Sequence, residues 1–338
     1  MINIGIVGAG NISGTHARAA SEISGVKVVA VFGRNGLKTV ELANQYRATP
    51  YSDFEAFLNH RPMDIVAIGS PSGLHARQGI AAAVHGLHVL VEKPIDITLR
   101  DADALIEACQ SADVKLGVFF QDRVKPDIVR LKQFIDTGRL GKLFLATAHV
   151  KWYRPPAYYN DSRWRGTWSL DGGGALMNQG IHTVDLLIWL MGSVKKVYAR
   201  AITALHKIEV EDTVVSTLEF ANGAIGTLEA ATSAYPGYRR RVELTGSEGT
   251  ILLEQDRVIA ADLHCATDEF EIGEEDQNAS ASSPVVSDVR GHRMILEDFL
   301  RAIREDGEPR CDGHEGRKSV EVVQAVYESS RSGQPVFL

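Results

Sequence analysis

At 338 residues the chain is too long for one compact core and suits two domains, and 44% hydrophobic with 23% charged residues is the ordinary makeup of a soluble globular protein. A net charge of -7 and a sequence pI of about 5.9 argue against a nucleic-acid partner, which needs a basic patch, and no run approaches the ~20 apolar residues of a membrane span. Met1 leads directly into INIGIVGAG with no signal-peptide pattern, and three scattered cysteines (Cys109, Cys265, Cys311) make no disulfide framework, so a reducing cytoplasm is expected.

From residue 1 to about 120, short apolar runs alternate with amphipathic stretches. Strands are predicted at 2–7, 26–32, 64–69, 88–92 and 114–120, and helices at 12–23, 36–46, 53–59, 73–85 and 98–111. Thr98 with Asp101 and Ser52 with Glu55 resemble capping pairs. The runs are nearly continuous Val, Ile and Leu, as in strands covered on both faces. Their alternation with helices predicts an α/β domain with a doubly wound parallel sheet and right-handed crossovers.

In this segment GIVGAGNIS gives Gly8-x-Gly10-x-x-Ser13 between a strand and a helix. Glycines there permit a tight turn and close approach of backbone N–H groups to a pyrophosphate. The helix start at Asn11 and Ile12 favours the anion. A Gly-rich turn with no ligand is the alternative. An Asp or Glu about 20 residues on would bond an adenosine ribose 2′-OH, but VFGRN puts Gly33 there, followed by Arg34 and Asn35. With no carboxylate to repel a 2′-phosphate and a guanidinium to pair with it, NADP(H) is favoured over NAD(H). The alternative is a solvated Arg34, or one stacked on adenine with NAD(H) accepted.

Further on, VLVEKPI sets Glu92, Lys93 and Pro94 at the carboxyl end of a buried strand, the edge where open α/β sheets bind ligands. A lysine there can exchange a proton with a carbonyl or hydroxyl, and partial burial would favour its neutral form. An exposed turn lysine is the plainer alternative. GSPSGLH ends the preceding strand on the same edge, so Ser70 and His75, with Glu92, are candidate cofactor contacts. His85 and His88 span a helix end and a strand start with no third ligand, and no metal is expected.

The pattern changes near residue 125. A helix is predicted over 126–136 with Gly138 as its cap, then a strand at 143–150, an aromatic and basic loop (151–174) and a helix over 174–191. Strand-like runs follow at 195–203, 212–220, 224–232, 239–246 and 249–255, with turns at Asn222-Gly223 and Gly246–Gly249. That order predicts an α+β domain with a large, mainly antiparallel sheet. The stretch 268–288, acidic and then Ser/Ala-rich, is expected as an exposed loop, and the C-terminus returns to helical spacing. The domains are placed at 1–122 (dinucleotide binding) and 123–338 (substrate binding and oligomerisation).

In GGGALMNQGIHTVD (172–185), Asn178, His182 and Asp185 fall at i, i+4 and i+7 and share one helix face beside an apolar stripe of Met177, Ile181, Val184 and Ile188. That polar edge is either a site or the ordinary margin of a packed helix. In the preceding loop, rings such as Tyr153 and Trp164 can stack on pyranose faces, and Arg154 and Arg165 can bond hydroxyls, a carboxylate or a phosphate. A subunit interface is the alternative for most of them.

GIVGAGNIS, SPSGLH, EKP and GGGALMNQGIHTVDLL, in this order and at these separations, resemble the Gfo/Idh/MocA oxidoreductases. These include glucose–fructose oxidoreductase, inositol dehydrogenases and many sugar and nucleotide-sugar dehydrogenases. The resemblance spans essentially the whole chain. It implies a Rossmann domain followed by an α+β domain whose open sheet face joins subunits into dimers or tetramers. It also implies Lys93 near the nicotinamide and the reacting hydroxyl, His182 as the catalytic histidine, and Trp164-Arg165 near the nicotinamide end of the cofactor. Gln121 and Arg123 would stand at the domain junction. Asn178 occupies a position that is commonly Asp in the inositol and glucose enzymes. A carboxylate there would hold an imidazolium, which an amide cannot do. Asn178 is instead similar to the Asn of some nucleotide-sugar and glycoside 3-dehydrogenases, where the amide would bond a sugar hydroxyl. Asp185 would orient the ring, or take part in packing or a local hydrogen bond.

The expected activity is hydride transfer between a nicotinamide cofactor and a secondary alcohol or ketone of a sugar, cyclitol, glycoside or nucleotide sugar, the 3-position of a pyranoside foremost. Lys93 and His182 would share the proton transfer, Asn178 would position the hydroxyl, and Arg123, Tyr153 and Arg154 would hold the rest of the substrate. The alternatives are an NAD-using glycosidase with no net oxidation, and a cofactor-sensing regulator on the same fold. Lys93 and His182 argue against the regulator.

Overall fold

The structure is a computed structural model in which residues 1–264, 270, 272 and 289–338 are described. Apart from Phe270 and Ile272, the expected exposed loop at 268–288 lies outside the described residues, as does Cys265. The first elements are β1 (Ile2–Val7), α1 (Asn11–Ser21), β2 (Val26–Phe32), α2 (Gly36–Gln45), β3 (Thr49–Tyr51), α3 (Phe54–Leu58), β4 (Ile65–Ile68), α4 (His75–Val84), β5 (His88–Val91), α5 (Leu99–Ser111) and β6 (Leu116–Val118). There follow α6 (Pro126–Asp136), β7 (Leu143–Lys151), α7 (Pro156–Asn160), α8 (Ile181–Met191), β8 (Val194–Ile202), β9 (Thr213–Phe220) and β10 (Ile225–Ala231). The chain closes with β11 (Arg241–Gly246), β12 (Gly249–Glu254), β13 (Arg257–Leu263), α9 (Arg290–Glu305), α10 (Gly313–Ser332) and β14 (Val336–Phe337). Among the described residues no helix is long and apolar enough to cross a membrane.

Contacts divide the chain into two compact units, Met1–Gln121 with Pro284–Arg317, and Asp122–Ser283 with Lys318–Leu338. The first unit holds a six-stranded, all-parallel sheet in the order β3-β2-β1-β4-β5-β6. This is the doubly wound order of dinucleotide-binding folds. Ile4, Ile6, Val31, Ile65, Ile68, Leu90 and Val91 are wholly buried, which is why these strands read as continuous apolar runs. Thr98 caps α5 through Asp101 as expected, but α3 is capped one residue later than the Ser52/Glu55 pattern suggests, by Asp53 on the Ala56 N–H. The carboxylate of Asp53 reaches that donor at 2.7 Å.

A division by sequence order at 122/123 does not capture the return of 284–317 to the first unit. There α9 packs against α1, and its buried Phe299 covers Gly117 of β6, where a Cβ would come within 2.8 Å of the ring.

The second unit holds an eight-stranded sheet in the order β13-β12-β11-β7-β10-β9-β8-β14. Only β7 and β10 pair in parallel. The expected hairpin at Asn222-Gly223 joins β9 to β10, with Gly223 at φ 87° donating to Phe220 O, and Ser247-Glu248 joins β11 to β12. Strand β9 alternates buried and exposed residues, so one sheet face is covered and the other open. The helix expected over 174–191 is instead two differently wound pieces. Ala175–Gly180 forms a π-helical turn, and α8 begins only at Ile181. His182 and Asp185 therefore share α8, whereas Asn178 sits in the wider turn before it, so the uniform helix read from the sequence does not run through all three.

Candidate active site

In the first unit the chain leaves β1 at Gly8, whose φ of +110° disfavours any side chain, and whose Cβ would fall 2.5 Å from Ser13 Oγ and 2.8 Å from Gly69 O. Ser13 is fully buried with its hydroxyl directed to Gly69 O at 3.4 Å, so the third motif position packs α1 onto the end of β4. Gly10 behaves differently. A Cβ there would enter open space, and Gly10 caps α1 with no side-chain hydrogen bond, leaving the helix start at Asn11 and Ile12 uncapped by protein side chains. An open glycine before an uncapped helix start is the cradle that a dinucleotide pyrophosphate needs, so these residues fit the cofactor.

The missing acid after β2 has a steric cause. A Cβ at Gly33 would lie 2.4 Å from Thr39 Oγ1 and 3.0 Å from Ala9 Cβ, so a carboxylate has no room beside the glycine loop. Arg34 is exposed, and Asn35 spends its carbonyl capping α2 on the Lys38 N–H.

Lys93, half-buried just past β5, is held through its backbone by buried side chains on both sides. Glu92 Oε2 accepts the Lys93 N–H at 3.2 Å, and the buried His75 bonds Pro94 O through Nδ1 at 2.8 Å. The other nitrogen of His75 bonds Ser70 O at 2.9 Å. Both its ring nitrogens thus meet backbone carbonyls, so His75 braces the Lys93 turn rather than offering a ring nitrogen to a cofactor. Ser70 directs its hydroxyl to Gln78 Oε1 at 2.6 Å. Gln121 Oε1 is buried with no hydrogen-bond partner among the described residues, the kind of acceptor a bound ligand satisfies.

Glu92 itself turns inward. His16 Nε2 of α1 and His292 Nε2 of α9 lie 2.9 and 3.2 Å from its Oε1, and all three side chains are buried. Burial pushes the Glu92 carboxyl up, but the bonds and charges of the two histidines hold it well below the usual carboxylate range. Burial keeps His16 below its ordinary value despite Glu92. An ionised Glu92 can only accept, so each Nε2 donates. The three ligating atoms lie within 4.8 Å of one another, close enough for a metal ion. Hydrogen bonds already account for that spacing, and among the described residues neither Nδ1 has the outer acceptor that a metal-bound imidazole normally keeps. The cluster is a brace behind Lys93, and it leaves the Glu92 carboxylate buried 5% exposed instead of facing a cofactor. His85 and His88 go to separate partners, Glu55 and the Lys115 N–H.

In the second unit, Glu211 sets the start of the π turn by accepting the Gly174 and Leu176 N–H groups and the Tyr327 hydroxyl, each at 2.9 Å. Gly174 is required there, because a Cβ would lie 1.8 Å from Glu211 O. Asn178 donates its amide to Asp171 Oδ1 and accepts from Gln179 Nε2 at 3.0 Å. The carboxylate beside His182 is Asp122, whose Oδ2 lies 3.6 Å from Nδ1. Asp185 pairs with Arg123. It takes Arg123 Nε and Nη2 at 2.8 and 2.6 Å in a wholly buried pair, with the guanidinium over Trp189. Arg123, expected to touch substrate, is thus 1% exposed and committed to the core.

The loop residues form a compact group. Arg154, also buried, bonds Gln179 Oε1 at 2.8 Å and lies over Trp152 and Tyr158. Arg165 lies 4.3 Å over the Tyr158 ring and 5.3 Å from Trp164. Tyr153 meets Tyr235 edge-on instead. Sequence reasoning missed Asp122, Asp171, Glu211, His16 and His292. Asp122, adjoining Gln121 and Arg123, and Asp171, just before Gly172, stood beside residues already singled out.

Residues 2–120 match the oxidoreductase family, NAD-binding Rossmann fold, and residues 128–252 match the GFO/IDH/MocA C-terminal domain. The WlbA dehydrogenase of Bordetella pertussis, solved with NADH and UDP-GlcNAcA, is similar at a TM-score of 0.91 and 32% identity over 100% of this chain and 97% of that one. D-xylose 1-dehydrogenase (NADP(+)) 2 of Haloferax volcanii is 28% identical over 340 residues, 99% of each chain. Myo-inositol 2-dehydrogenase of Thermotoga maritima is 26% identical over 349 residues, 100% of this chain and 98% of that one. With both halves matched and 32% identity along the full length of a solved relative, the chain belongs to the Gfo/Idh/MocA oxidoreductases, NAD(P)-dependent dehydrogenases acting on CH–OH groups of sugars.

Proposed function

We propose that this enzyme oxidises or reduces the 3-position of a pyranoside carried by a nucleotide sugar, of the UDP-GlcNAcA type found with the WlbA relative. The observation that carries the reading is Lys93 at the carboxyl end of β5, its backbone pinned by Glu92 and His75. When bound, the nicotinamide accepts or returns the hydrogen and electron pair of the carbinol carbon. Gly8, Gly10, Asn11 and Ile12 would hold its pyrophosphate, and Ser70, Lys93 and Gln121 the nicotinamide half. Lys93 and His182 share the movement of the hydroxyl proton, and Asn178, fixed by Asp171 and Gln179, positions that hydroxyl. NADP(H) is the preferred form, because Arg34 is exposed past β2 and no acid fits at residue 33.

The open sheet face supports a second copy of this chain as partner. Leu145, Tyr198, Ile202, Val215 and Ile225 are all exposed and, by strand register, lie on one face. Light scattering should give at least a dimer, and a monomer at micromolar concentration rejects that assignment.

The test of function is nicotinamide absorbance with UDP-GlcNAcA, simple glycosides and inositols, with the oxidised carbon located by NMR. Lys93→Met should lower kcat at least a hundredfold while the cofactor still binds. Full turnover in that variant removes Lys93 from the chemistry. Release of an aglycone with no net absorbance change would mark a redox-neutral glycosidase instead.

A further inference from the structure

We infer that Asp122 is the positioning residue for His182, supplying from the turn after β6 the carboxylate that Asn178 lacks. The inference rests on the reading of His182 as a proton-transfer group. Near His182, Asn178 and Asp185 have other partners, and Asp122 faces the ring. Asn178 is an amide committed to Asp171 and Gln179. Asp185, on the same helix, is bound at both oxygens by Arg123. Asp122 Oδ2 faces Nδ1 at 3.6 Å, long for a hydrogen bond but within ion-pair range, and such contacts often shorten once substrate is bound.

The surroundings of Asp122 keep it charged. Arg240 Nη1 bonds its Oδ2 at 2.7 Å, and Lys125 Nζ lies 3.2 Å from Oδ1. Both cations also pair with Asp256. Burial would raise the Asp122 carboxyl, but Arg240, Lys125 and His182 together drive it far below the usual carboxylate range. Asp122 therefore stays a fixed anion wherever the enzyme works. A fixed anion at Nδ1 selects the tautomer with its proton on that nitrogen, which directs the basic Nε2 at the reacting hydroxyl. It also stabilises the imidazolium formed when Nε2 takes the proton. Asp256 belongs to the same ion network through Lys125 and Arg240, which makes it the natural control.

The test compares Asp122→Asn, Asp122→Glu, Asp256→Asn and His182→Gln. In Asp122→Asn, kcat should fall at least tenfold with sugar KM changed less than threefold. Removal of the neighbouring anion disfavours the imidazolium, so the acidic limb of the kcat/KM profile for oxidation should move down by about one pH unit. The His182 imidazole, titrated by NMR in the protein without substrate, should move down equally, a readout that survives loss of activity. Asp122→Glu should restore part of both effects, and Asp256→Asn should leave the His182 titration within about 0.3 unit. If Asp256→Asn matches Asp122→Asn in every measurement, the carboxylate serves only the ion network and the inference fails. If His182→Gln is inactive while Asp122→Asn keeps both rate and titration, the inference fails alone. If His182→Gln is fully active, the reading of His182 fails and the inference with it.

Discussion

Glu211 ties protein stability to pH with a size worked from the structure. Burial pushes its carboxyl from the ordinary 4.5 up to about 7, opposed by hydrogen bonds from the Leu176 and Gly174 N–H groups and the Tyr327 hydroxyl. An unfolded chain releases this proton near 4.5, whereas the folded protein keeps it until about 7. Between those values the folded state binds the extra proton, so stability falls as pH rises. The contribution is complete below the lower value and gone above the upper one. At about 1.4 kcal/mol per pH unit, the gap is worth roughly 3 kcal/mol. Glu211→Gln removes the titration. Its Oε1 can still serve Leu176 and Tyr327, but its NH2 faces the Gly174 donor, a loss of about 1 kcal/mol at every pH. The variant should therefore be about 1 kcal/mol less stable than wild type near pH 3.5, about equal to it near pH 5, and about 2 kcal/mol more stable near pH 8. Urea unfolding of both proteins at each pH measures this, since other titrating groups cancel in the difference. A flat difference, or one that turns against Gln as pH rises, would mean that the three donors keep Glu211 ionised throughout, and the reasoning would be refuted.

Two further outcomes are expected. Arg34→Ala should lower kcat/KM for NADP+ at least tenfold, the loss of one charge-assisted phosphate contact of about 1.5–3 kcal/mol, and leave NAD+ within about twofold. Equal losses for both cofactors would take Arg34 away from the 2′-phosphate. Asp185→Asn leaves Arg123 buried without its carboxylate, and should cost about 3–5 kcal/mol in denaturant unfolding. The double variant Arg123→Met, Asp185→Leu should recover much of that loss, and a single-variant cost under about 1 kcal/mol would contradict a buried, committed pair.

The features legible in the sequence are those with local causes. Strands β1, β4 and β5 announce themselves because they are covered on both faces and, apart from Asn3 and His88 near their starts, carry no polar side chain. The glycine loop shows because one position needs positive φ, and the β9–β10 turn because Asn-Gly suits a hairpin. Features set by distant partners leave no such trace. The return of α9 depends on Phe299 meeting a glycine on β6. The π turn is held by Glu211, 37 residues from Gly174 along the chain. Arg123 looked like a substrate contact because it is charged and follows the last Rossmann strand; its partner, Asp185, is 62 residues away. His75 and Glu92 were placed on the correct sheet edge, but burial turned their side chains into braces for Lys93.

Asn178 carries the last consequence. Read along a regular helix, an amide at this position deprives His182 of a carboxylate and weakens the case for an acid–histidine pair. In the structure Asn178 lies in the π turn before α8 and has an acid of its own to serve. Its neighbour is Asp171, which is buried and accepts both the Asn178 amide and the Gly166 N–H. An Asp at 178 would set a second carboxylate against Asp171, and one of the two would have to hold a proton. The amide is thus the side chain that fits Asp171, and the carboxylate for His182 comes from a different element at Asp122. A substitution that looks like a lost catalytic acid is, in this fold, matched to one aspartate while another stands beside the histidine.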